Sequence, residues 1–407
     1  MSREFFATRT VAEALAGFSP TRRTPVQTVT LEAALRRVPA RDVVAPGSLP
    51  GFARSTVDGY AVRAADTYGA SEGLPAYLDI IGVVAMGAEP QVTVTAGAAA
   101  QMPTGGVLPA GADAVVMVEY TSETMPGTVE VLRPVAVGGG VVQADEDVRA
   151  GAVLVPAGRP LRAPDLGMLA AAGVTELAVH ARPRVAILST GDEVVPPATA
   201  VLRPGQVRDA IAPALAGLVL DAGGCPVPCG IMPDDPPALR NGLQAALAQA
   251  DLVVVSAGSS VGARDATAEV VADLGEPGIF CHGIALKPGK PTLLAECDGV
   301  PVIGLPGNPL SALVVFRLVG APLVWRLAGC PLPPPEPSVT AVLARDVPSE
   351  AGRLDVVQVQ LAGTQARPLF GASALLSVLT RADGFLVVPE PATGLPAGTE
   401  VSVTLYH

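Results

Sequence analysis

Between residues 182 and 330 the chain alternates short apolar runs with helical segments, and this alternation is the strongest constraint on its fold. The apolar runs are Val185–Leu188, Leu252–Val255 and Pro301–Leu305. The helical segments are Ile211–Ala222, Leu239–Ala248, Thr267–Leu274 and the one that starts at Leu310. Uninterrupted apolar runs suit strands buried on both faces, and short connections to helices suit parallel strands. The sequence therefore predicts a doubly wound, parallel α/β domain over residues 182–330.

The segments on either side predict further domains. Helices are predicted at Thr10–Gly17, Thr30–Val38 and Pro164–Ala172. Residues 1–50 and 149–181 are expected to form one domain, interrupted over residues 51–148 by a β-rich insertion in which Gly and Pro separate short apolar runs. A Pro-rich linker at Pro331–Pro337 opens a small β domain over residues 331–407. The fold class expected is a multidomain α/β protein.

Composition excludes several function classes. The net charge of −11 argues against general nucleic-acid binding, which needs a basic footprint. Five irregularly spaced cysteines suit a reduced, cytoplasmic protein, and the pair Cys225 and Cys229 has no partner ligands for zinc. The N-terminus lacks the apolar core of a signal peptide. The apolar segment Leu310–Leu327 contains two arginines and is interpreted as a buried helix, so no membrane association is expected.

The chain contains only two lysines, and both lie in the motif Lys287-Pro-Gly-Lys290, whereas its other 25 basic residues are arginines. An ammonium group is a compact point charge and a guanidinium group is a planar fork, so the two bind anions differently. Two ammonium groups this close would repel each other unless an anion or nearby carboxylates shared the site. The sequence therefore favours an anion site here over a surface hairpin with two solvated charges.

Three loops follow predicted strands, at Gly191–Glu193, Gly258–Asp265 and Pro306–Pro309. In an open α/β sheet such loops converge at the carboxyl ends of the strands, where ligands bind. The segment from Ser256 to Gly262 has the glycines needed to turn backbone N–H groups towards an anion. Asn308 and Pro309 suit the N-cap and first position of a helix, whose positive end would face the same crevice.

Carboxylates are the remaining polar groups expected at this edge, namely those of Glu193, Asp234, Asp235 and Asp265. Hard oxygen ligands beside phosphate-binding loops suit Mg²⁺ better than zinc. The residues thus predict a phosphorylated substrate and Mg²⁺-assisted chemistry. Structural alternatives stay open, because Asp265 can cap its helix and Asp234-Asp235-Pro can form a turn. Two loops of the insertion, around Asp58-Gly59 and Thr104-Gly105, are by themselves ordinary turn sequences.

Taken together, six motifs resemble the molybdopterin molybdenumtransferase family, the MoeA-type proteins related to the C-terminal domain of gephyrin. They are Val57–Val62, Met102–Gly106, Gly111–Met117, Leu188–Glu193, Leu286–Pro291 and Gly304–Pro309. The resemblance covers essentially the whole chain. It implies an elongated dimerisation domain, a β-rich insertion, a molybdopterin-binding α/β domain and a C-terminal β-barrel.

The resemblance also implies an activity, in which adenylated molybdopterin and molybdate react with Mg²⁺ to give molybdenum cofactor and AMP. It implies a homodimer with shared active sites. The partners implied are the adenylyltransferase of the pathway, which would supply adenylated molybdopterin, and apo-molybdoenzymes, which would receive the finished cofactor. The residues implied in catalysis are Asp58, Glu193, Asp265, Lys287 and Lys290, and those implied in metal binding are Glu193, Asp234 or Asp235, and Asp265. The residues implied in cofactor binding are Thr104, Ser256, Gly258, Ser259, Ser260, Pro306, Gly307, Asn308, Pro309 and Arg353.

The sequence departs from the family pattern in three places. The loop after the second central strand reads Gly258-Ser-Ser and not the commoner Gly-Gly-Val-Ser. Arginines usual at the end of the insertion are missing from residues 142–144, and Gln358 lies in a strand where an arginine is common. Fewer cations around an anionic ligand leave two alternatives open, a tungstate-preferring paralogue and a carrier or scaffold that binds cofactor without turnover. An unrelated Mg²⁺-dependent nucleotide hydrolase would fit the pocket but not the motifs of the insertion.

Overall fold

The structure, a computed structural model, describes residues 8–256 and 261–406, with the backbone alone for residues 261–265. Its α/β domain has a six-stranded sheet with helices on both faces. The strands, in spatial order, are Cys225–Met232, Arg184–Thr190, Leu252–Ser256, Val300–Leu305, Leu293–Cys297 and Pro277–His282. The first four are parallel and the last two are antiparallel.

The expectation of a purely parallel sheet is therefore wrong at one edge, and a tight turn explains the difference. Asp298 and Gly299 join Cys297 to its partner Val300, and both have positive φ, 50° and 82°. Asp-Gly with two positive φ angles is the hairpin turn that matches strand twist, and a two-residue connection can only join antiparallel strands.

Alternate residues of the central strands face opposite layers, which confirms the doubly wound arrangement. Val185, Ile187 and Val254 pack against one layer of helices, whereas Ala186 and Leu188 pack against the other. The first layer contains Val11–Gly17, Ile211–Asp221 and the continuous helical segment 309–327, which has a π-helical turn at Phe316–Gly320. The second layer contains Pro236–Leu247 and Val261–Ala272.

Among the described residues, the segment Pro309–Leu327 is the one helix with the length and hydropathy of a membrane span, and 67% of that window is buried inside the protein. Its residues Leu310, Phe316 and Leu323 belong to the apolar core beneath the sheet. Val356 and Phe385 of the C-terminal domain join the same core, so this helix is packed between two domains.

The segments that flank the insertion pair directly with each other. Strand Val26–Thr30 is antiparallel to Glu176–His180, and Val43–Val44 is antiparallel to Val153–Val155, with helix Ala163–Ala171 packed beside them. The predicted helix over residues 30–38 is wrong, because Thr30 ends a strand and only a 3-10 turn, Leu31–Ala33, follows. Arg36 has a φ of 61°, which no helix accommodates. The domain limits themselves stay predictions.

The insertion contains a second six-stranded sheet. In spatial order its strands are Ala114–Met117, Gly59–Val62, Ala98–Met102, Ala76–Val83, Thr128–Val131 and Thr121–Met125. Short elements complete it, namely Arg54–Ser55 paired with Val141–Val142, and the 3-10 turns Ala64–Thr67 and Val118–Tyr120.

The C-terminal domain is a closed five-stranded barrel, as expected. Its strands, in order around the barrel, are Leu354–Ala362, Gln365–Pro368, Ser338–Leu343, Glu400–Leu405 and Gly384–Val388, and the last pairs with the first. Val347–Pro348 pairs with Gly394–Leu395, and Ser377–Thr380 forms one helical turn. The short strands Val194–Val195, Val207–Arg208 and Leu286–Lys287 belong to the α/β domain, and the last of them pairs with the barrel.

Candidate active site

The carboxyl ends of three parallel strands lie side by side, as the sequence predicts. Ser256 is in register with Ser189 on one side and with Leu305 on the other. The Thr190 hydroxyl donates a hydrogen bond of 3.2 Å to the Ser256 carbonyl oxygen. The loops that follow these strands therefore start at one edge of the sheet. Gly258, Ser259 and Ser260 lie outside the described residues, as does the side chain of Asp265 on helix Val261–Ala272.

The lysine turn is built by close backbone packing beneath two exposed side chains. Gly289 has a φ of 134°, and a Cβ there would lie 2.5 Å from Val315 Cγ2, so only glycine fits. The Thr292 hydroxyl donates to the Gly289 carbonyl at 2.6 Å. Lys287 and Lys290 are both exposed on this turn, which leaves their ammonium groups accessible to a ligand.

A buried carboxylate lies beside the first lysine. Asp355, on the first barrel strand, is only 2% exposed. Its Oδ2 lies 3.5 Å from Lys287 Nζ, and its Oδ1 accepts a hydrogen bond of 2.9 Å from Arg353 Nε. Arg353 also contacts Glu350 through its Nη1, at 2.8 Å. The two domains thus bring a lysine and an arginine to one carboxylate.

These groups line a cleft of about 670 Å³ between the α/β domain and the barrel. Five of the residues predicted for the site, Lys287, Lys290, Pro306, Asn308 and Arg353, lie in its wall. The cleft therefore joins the lysine turn, one of the strand-end loops and the barrel, and three of these five side chains are cationic.

The helix that follows Pro306 and Gly307 begins as predicted, with Asn308 at the N-cap and Pro309 at the first helical position. The Asn308 side chain makes no capping hydrogen bond. Of the first-turn amides, Leu310 N–H donates to the Ser373 carbonyl of the barrel at 3.1 Å. This contact fixes the barrel loop to the end of the helix at the cleft.

The predicted acidic residues separate into two roles. Asp235 is the N-cap of helix Pro236–Leu247, since its side chain accepts from Ala238 N–H at 3.0 Å. Asp234 lies beside the loop after the first central strand, and its amide donates to Asp192 Oδ1 at 3.2 Å. Burial, followed by the charges of Asp192 and Glu193, raises the pKa of Asp234. Of the two neighbouring aspartates, Asp234 is therefore the one whose pKa is raised by the charge of Glu193.

Asp58 and Thr104 meet on the insertion. Thr104 N–H and its hydroxyl donate to Asp58 Oδ1 at 2.8 and 3.1 Å. Both residues are exposed, and neither is among the described residues that line the cleft of the same chain. The sequence places them in the site only through the resemblance.

Comparisons with known proteins agree along the whole chain. Residues 9–173 match the MoeA N-terminal region (domain I and II), residues 186–326 a probable molybdopterin binding domain, and residues 340–406 the MoeA C-terminal region (domain IV). Molybdopterin molybdenumtransferase 2 of Mycobacterium tuberculosis is 35% identical over 92% of this chain and 94% of its own. Molybdopterin molybdenumtransferase of Haemophilus influenzae is 31% identical over 94% and 95%. The chain belongs to the molybdopterin molybdenumtransferase family.

A solved structure shows the same architecture. The molybdopterin biosynthesis MoeA protein of Pyrococcus horikoshii OT3 is 31% identical and superposes with a TM-score of 0.86 over 98% of this chain and 100% of that one. This member of the molybdenumtransferase family therefore has the family's fold from its N-terminal domain to its barrel.

Asp355 is the cleft residue that sequence reasoning missed in this molybdenumtransferase. It lies in Leu354–Ala362, where burial alternates imperfectly, so nothing marks it as more than a strand residue. The available signal was an aspartate, a poor strand former, two residues after Arg353 and directly before a pair of valines. Gln358, on the same strand, also lines the cleft and is 2% exposed.

Proposed function

We propose that this chain acts in molybdenum cofactor biosynthesis, where it transfers molybdenum from molybdate to adenylated molybdopterin and releases AMP. The observation that carries the proposal is the cleft whose wall contains Lys287, Lys290 and Arg353 together. Molybdate is a dianion, and adenylated molybdopterin has a phosphoanhydride. A cleft with three cations between two domains suits both substrates.

Two carboxylates lie beside these cations and balance part of their charge when no ligand is bound. Asp355 and Glu350 partly neutralise Lys287 and Arg353, which lowers the repulsion among three positive groups. An arriving oxyanion would bind the same cations without a large rearrangement, because two of them already have fixed partners. Because these side chains are already held in place, ordering them when the anion binds costs little free energy.

Mg²⁺ is the proposed cofactor, and Glu193 and Asp234 are the acidic residues that would bind it. The described residues include no group of three or more His, Cys, Asp or Glu side chains that could hold a metal. Mg²⁺ in phosphate sites, however, commonly uses one or two protein carboxylates together with substrate phosphates. Glu193 and Asp234 would supply such carboxylates, and a cation there would relieve the repulsion that raises the pKa of Asp234. When bound, Mg²⁺ would neutralise charge on the phosphoanhydride.

The proposal includes a homodimer in which Asp58 and Thr104 of one subunit reach the cleft of the other. Its support is their position, exposed on the insertion and absent from the described lining of their own chain's cleft. The Asp58 carboxylate would then face the partner's phosphoanhydride and position or deprotonate a water molecule there.

The deciding experiment is an incubation of the purified protein with adenylated molybdopterin, Mg²⁺ and either molybdate or tungstate. AMP release is measured, together with activation of an apo-molybdoenzyme. We expect AMP release that depends on the oxyanion and on Mg²⁺. AMP release no faster than in a protein-free control would contradict the proposal.

The second candidate is a carrier that binds molybdopterin without turnover, and the neutral Gln358 in the cleft wall favours it. Tight pterin binding without AMP release in the same incubation would support the carrier. Faster reaction with tungstate than with molybdate would instead identify a tungstate-preferring enzyme.

A further inference from the structure

Asp355 is the most buried charged group of the cleft, with a side chain 3% exposed. A carboxylate in such surroundings is costly unless positive partners and hydrogen bonds compensate it. Its partners are Arg353 Nε at 2.9 Å and Lys287 Nζ at 3.5 Å. The side chains of these two partners are 31% and 57% exposed, so each cation reaches from the buried carboxylate towards the cleft.

The backbone around Asp355 joins two domains at the same place. Strand Leu286–Lys287 of the α/β domain pairs in parallel with Leu354–Asp355 of the barrel. Leu354 N–H donates to the Ala285 carbonyl at 2.9 Å. Lys287 and Asp355 are direct partners in this register, so the backbone pairing of the two domains brings the lysine of one beside the carboxylate of the other.

We propose that Asp355 is a positioning residue for the oxyanion, which holds Lys287 and Arg353 in the geometry that binds it. This inference rests on the proposed function, because it assigns the cleft to molybdate. Asp355 does not itself contact the ligand, since a carboxylate repels an anion. It acts through the two cations.

Charge and position predict opposite effects when the carboxylate is neutralised. Asp355→Asn makes the cleft more positive, so electrostatic attraction alone predicts tighter molybdate binding. If Asp355 positions the cations, the same variant binds molybdate more weakly, because Lys287 loses its counter-ion and the Arg353 Nε keeps only a neutral acceptor, while its Nη1 keeps Glu350. A misplaced cation loses a charge-assisted hydrogen bond to the oxyanion, and such a loss weakens binding about ten- to a hundredfold. We therefore expect the dissociation constant for molybdate to rise at least about tenfold.

Because the chain contains only two lysines, NMR spectroscopy can follow each lysine side chain separately. Protein labelled with ¹³C at lysine Cε gives two side-chain signals, which Lys287→Arg and Lys290→Arg assign. In Asp355→Asn we expect the Lys287 signal to move while the Lys290 signal stays. Titration with molybdate, followed through both signals, then gives the dissociation constants. Asp355→Glu keeps the charge, and we expect it to bind more tightly than Asp355→Asn but more weakly than the unaltered protein.

The outcomes separate this inference from the proposed function. Lysine signals of the unaltered protein that do not respond to molybdate overturn both. A normal response, with Asp355→Asn binding molybdate equally well or more tightly, overturns only the positioning role. We expect the variant to fold, because Lys287 is largely exposed and Arg353 keeps Glu350 as a partner. Circular dichroism checks that the variant is folded. If Asp355→Asn does not fold, Asp355→Glu provides the test, and an unchanged dissociation constant for molybdate in that variant overturns the positioning role.

Discussion

Thr104 N–H and the Thr104 hydroxyl both donate to one carboxylate oxygen of Asp58, at 2.8 and 3.1 Å. Two donors on one oxygen fix the direction in which the carboxylate points, although both residues are exposed. The loops around Asp58 and Thr104 are therefore one rigid unit that presents an acid at the surface of the insertion. In the proposed homodimer this acid would face the cleft of the other subunit.

If the sites are shared between subunits, two inactive variants should complement each other. Asp58→Asn keeps an acceptor for the Thr104 amide but removes the charge, and Lys290→Ala removes a cation from the cleft. A mixed dimer with one substitution in each subunit has one doubly altered site and one intact site. We expect AMP release at about half the rate of the unaltered protein, measured on mixed dimers purified with two affinity tags.

The control places both substitutions in one subunit and pairs it with an unaltered subunit. With shared sites, each site of this dimer contains one defect, and we expect almost no AMP release. If each site instead belongs to one chain, the second dimer would retain half of the activity and the first none.

Gly59, the residue after Asp58, packs closely against the backbone of the neighbouring strand. A Cβ at Gly59 would lie 1.8 Å from the Val116 carbonyl oxygen, in backbone that cannot yield cheaply. Gly59→Ala should therefore destabilise the insertion by about 2–3 kcal/mol and displace Asp58. Urea unfolding and AMP release measure the two effects. Gly73→Ala is the matched control, since a Cβ there meets no atom within 4 Å, and equal behaviour of the two variants would rule out the clash.

Asp165 stabilises the domain that flanks the insertion. It is 6% exposed, accepts from Arg159 at 2.6 and 2.8 Å, and caps its helix by accepting from Arg162 N–H at 2.8 Å. Asp165→Asn should lower the free energy of unfolding by about 2–3 kcal/mol at pH 7, because charge-assisted bonds are lost.

The Arg159 contact, with those from Arg162, holds the pKa of Asp165 well below its usual range. A lowered folded-state pKa gives stability that is complete above the unfolded value and is lost as the pH falls towards the folded value. The difference between Asp165→Asn and the unaltered protein, measured by urea unfolding, should thus shrink below about pH 4. Asp273→Asn, in an exposed pair with Arg240, is the control and should cost less than about 1 kcal/mol. A difference for Asp165→Asn that is constant with pH would contradict the assignment.

The α/β domain and the edge at which its loops meet could be predicted because they depend on local patterns. Apolar runs define buried strands, and the position of a loop after a strand defines its edge. The same reasoning missed the hairpin at Asp298-Gly299, although Asp-Gly is a strong turn signal. It considered only strands that alternate with helices, and therefore expected a parallel sheet. The helix predicted from Thr30 failed because contacts distant in sequence override weak helical periodicity: Thr30 pairs with Glu176, Arg36 N–H donates to the Leu161 carbonyl, and the Val38 carbonyl accepts from His180 N–H.

The cleft could not be predicted in full, since half of its wall comes from the barrel. Lys287 was conspicuous as one of two lysines, but its counter-ion Asp355 lies 68 positions along the chain in another domain. Only the pairing of Leu286–Lys287 with Leu354–Asp355 brings them together. Likewise, Asp234 and Asp235 are alike in sequence, and only the start of the next helix makes Asp235 a cap.

Asp234 should limit stability at neutral pH. Its pKa is raised by partial desolvation of the carboxylate and by the charges of Asp192 and Glu193, so its ionisation costs folding free energy. Asp234→Asn should stabilise the protein above the folded-state pKa, and the gain should vanish as the pH falls below the unfolded value. Because the side chain is exposed and solvent screens its charge, we expect no more than about 0.5 kcal/mol. Urea unfolding at pH 7 and pH 4 measures this gain in the free energy of unfolding. Asp235→Asn is the control, and we expect it to destabilise the protein because it weakens a helix cap. A loss of stability in Asp234→Asn would contradict the repulsion.

The two lysines should matter for turnover far more than for stability. Both are exposed, so Lys290→Ala removes little packing and should change the melting temperature by only about 1–2 °C. Lys287→Ala also removes a partner of the buried Asp355 and should lower the melting temperature more, although less than it lowers turnover. Loss of a charge-assisted bond to an oxyanion costs about 2–3 kcal/mol, which lowers kcat/KM for molybdate about 30- to 150-fold. Arg240→Ala, which removes a cation from the same domain outside the cleft, should leave kcat/KM unchanged.

Lys290→Arg separates charge from geometry at the same position. The guanidinium group keeps the charge but replaces a compact ammonium with a planar fork, on a turn whose backbone Gly289 fixes against Val315. We expect Lys290→Arg to recover only part of the activity that Lys290→Ala loses. Melting temperatures that fall in parallel with kcat/KM across these variants would mean that the lysines support the fold of the turn. Full activity in Lys290→Arg would mean that the site needs a positive charge but not an ammonium group.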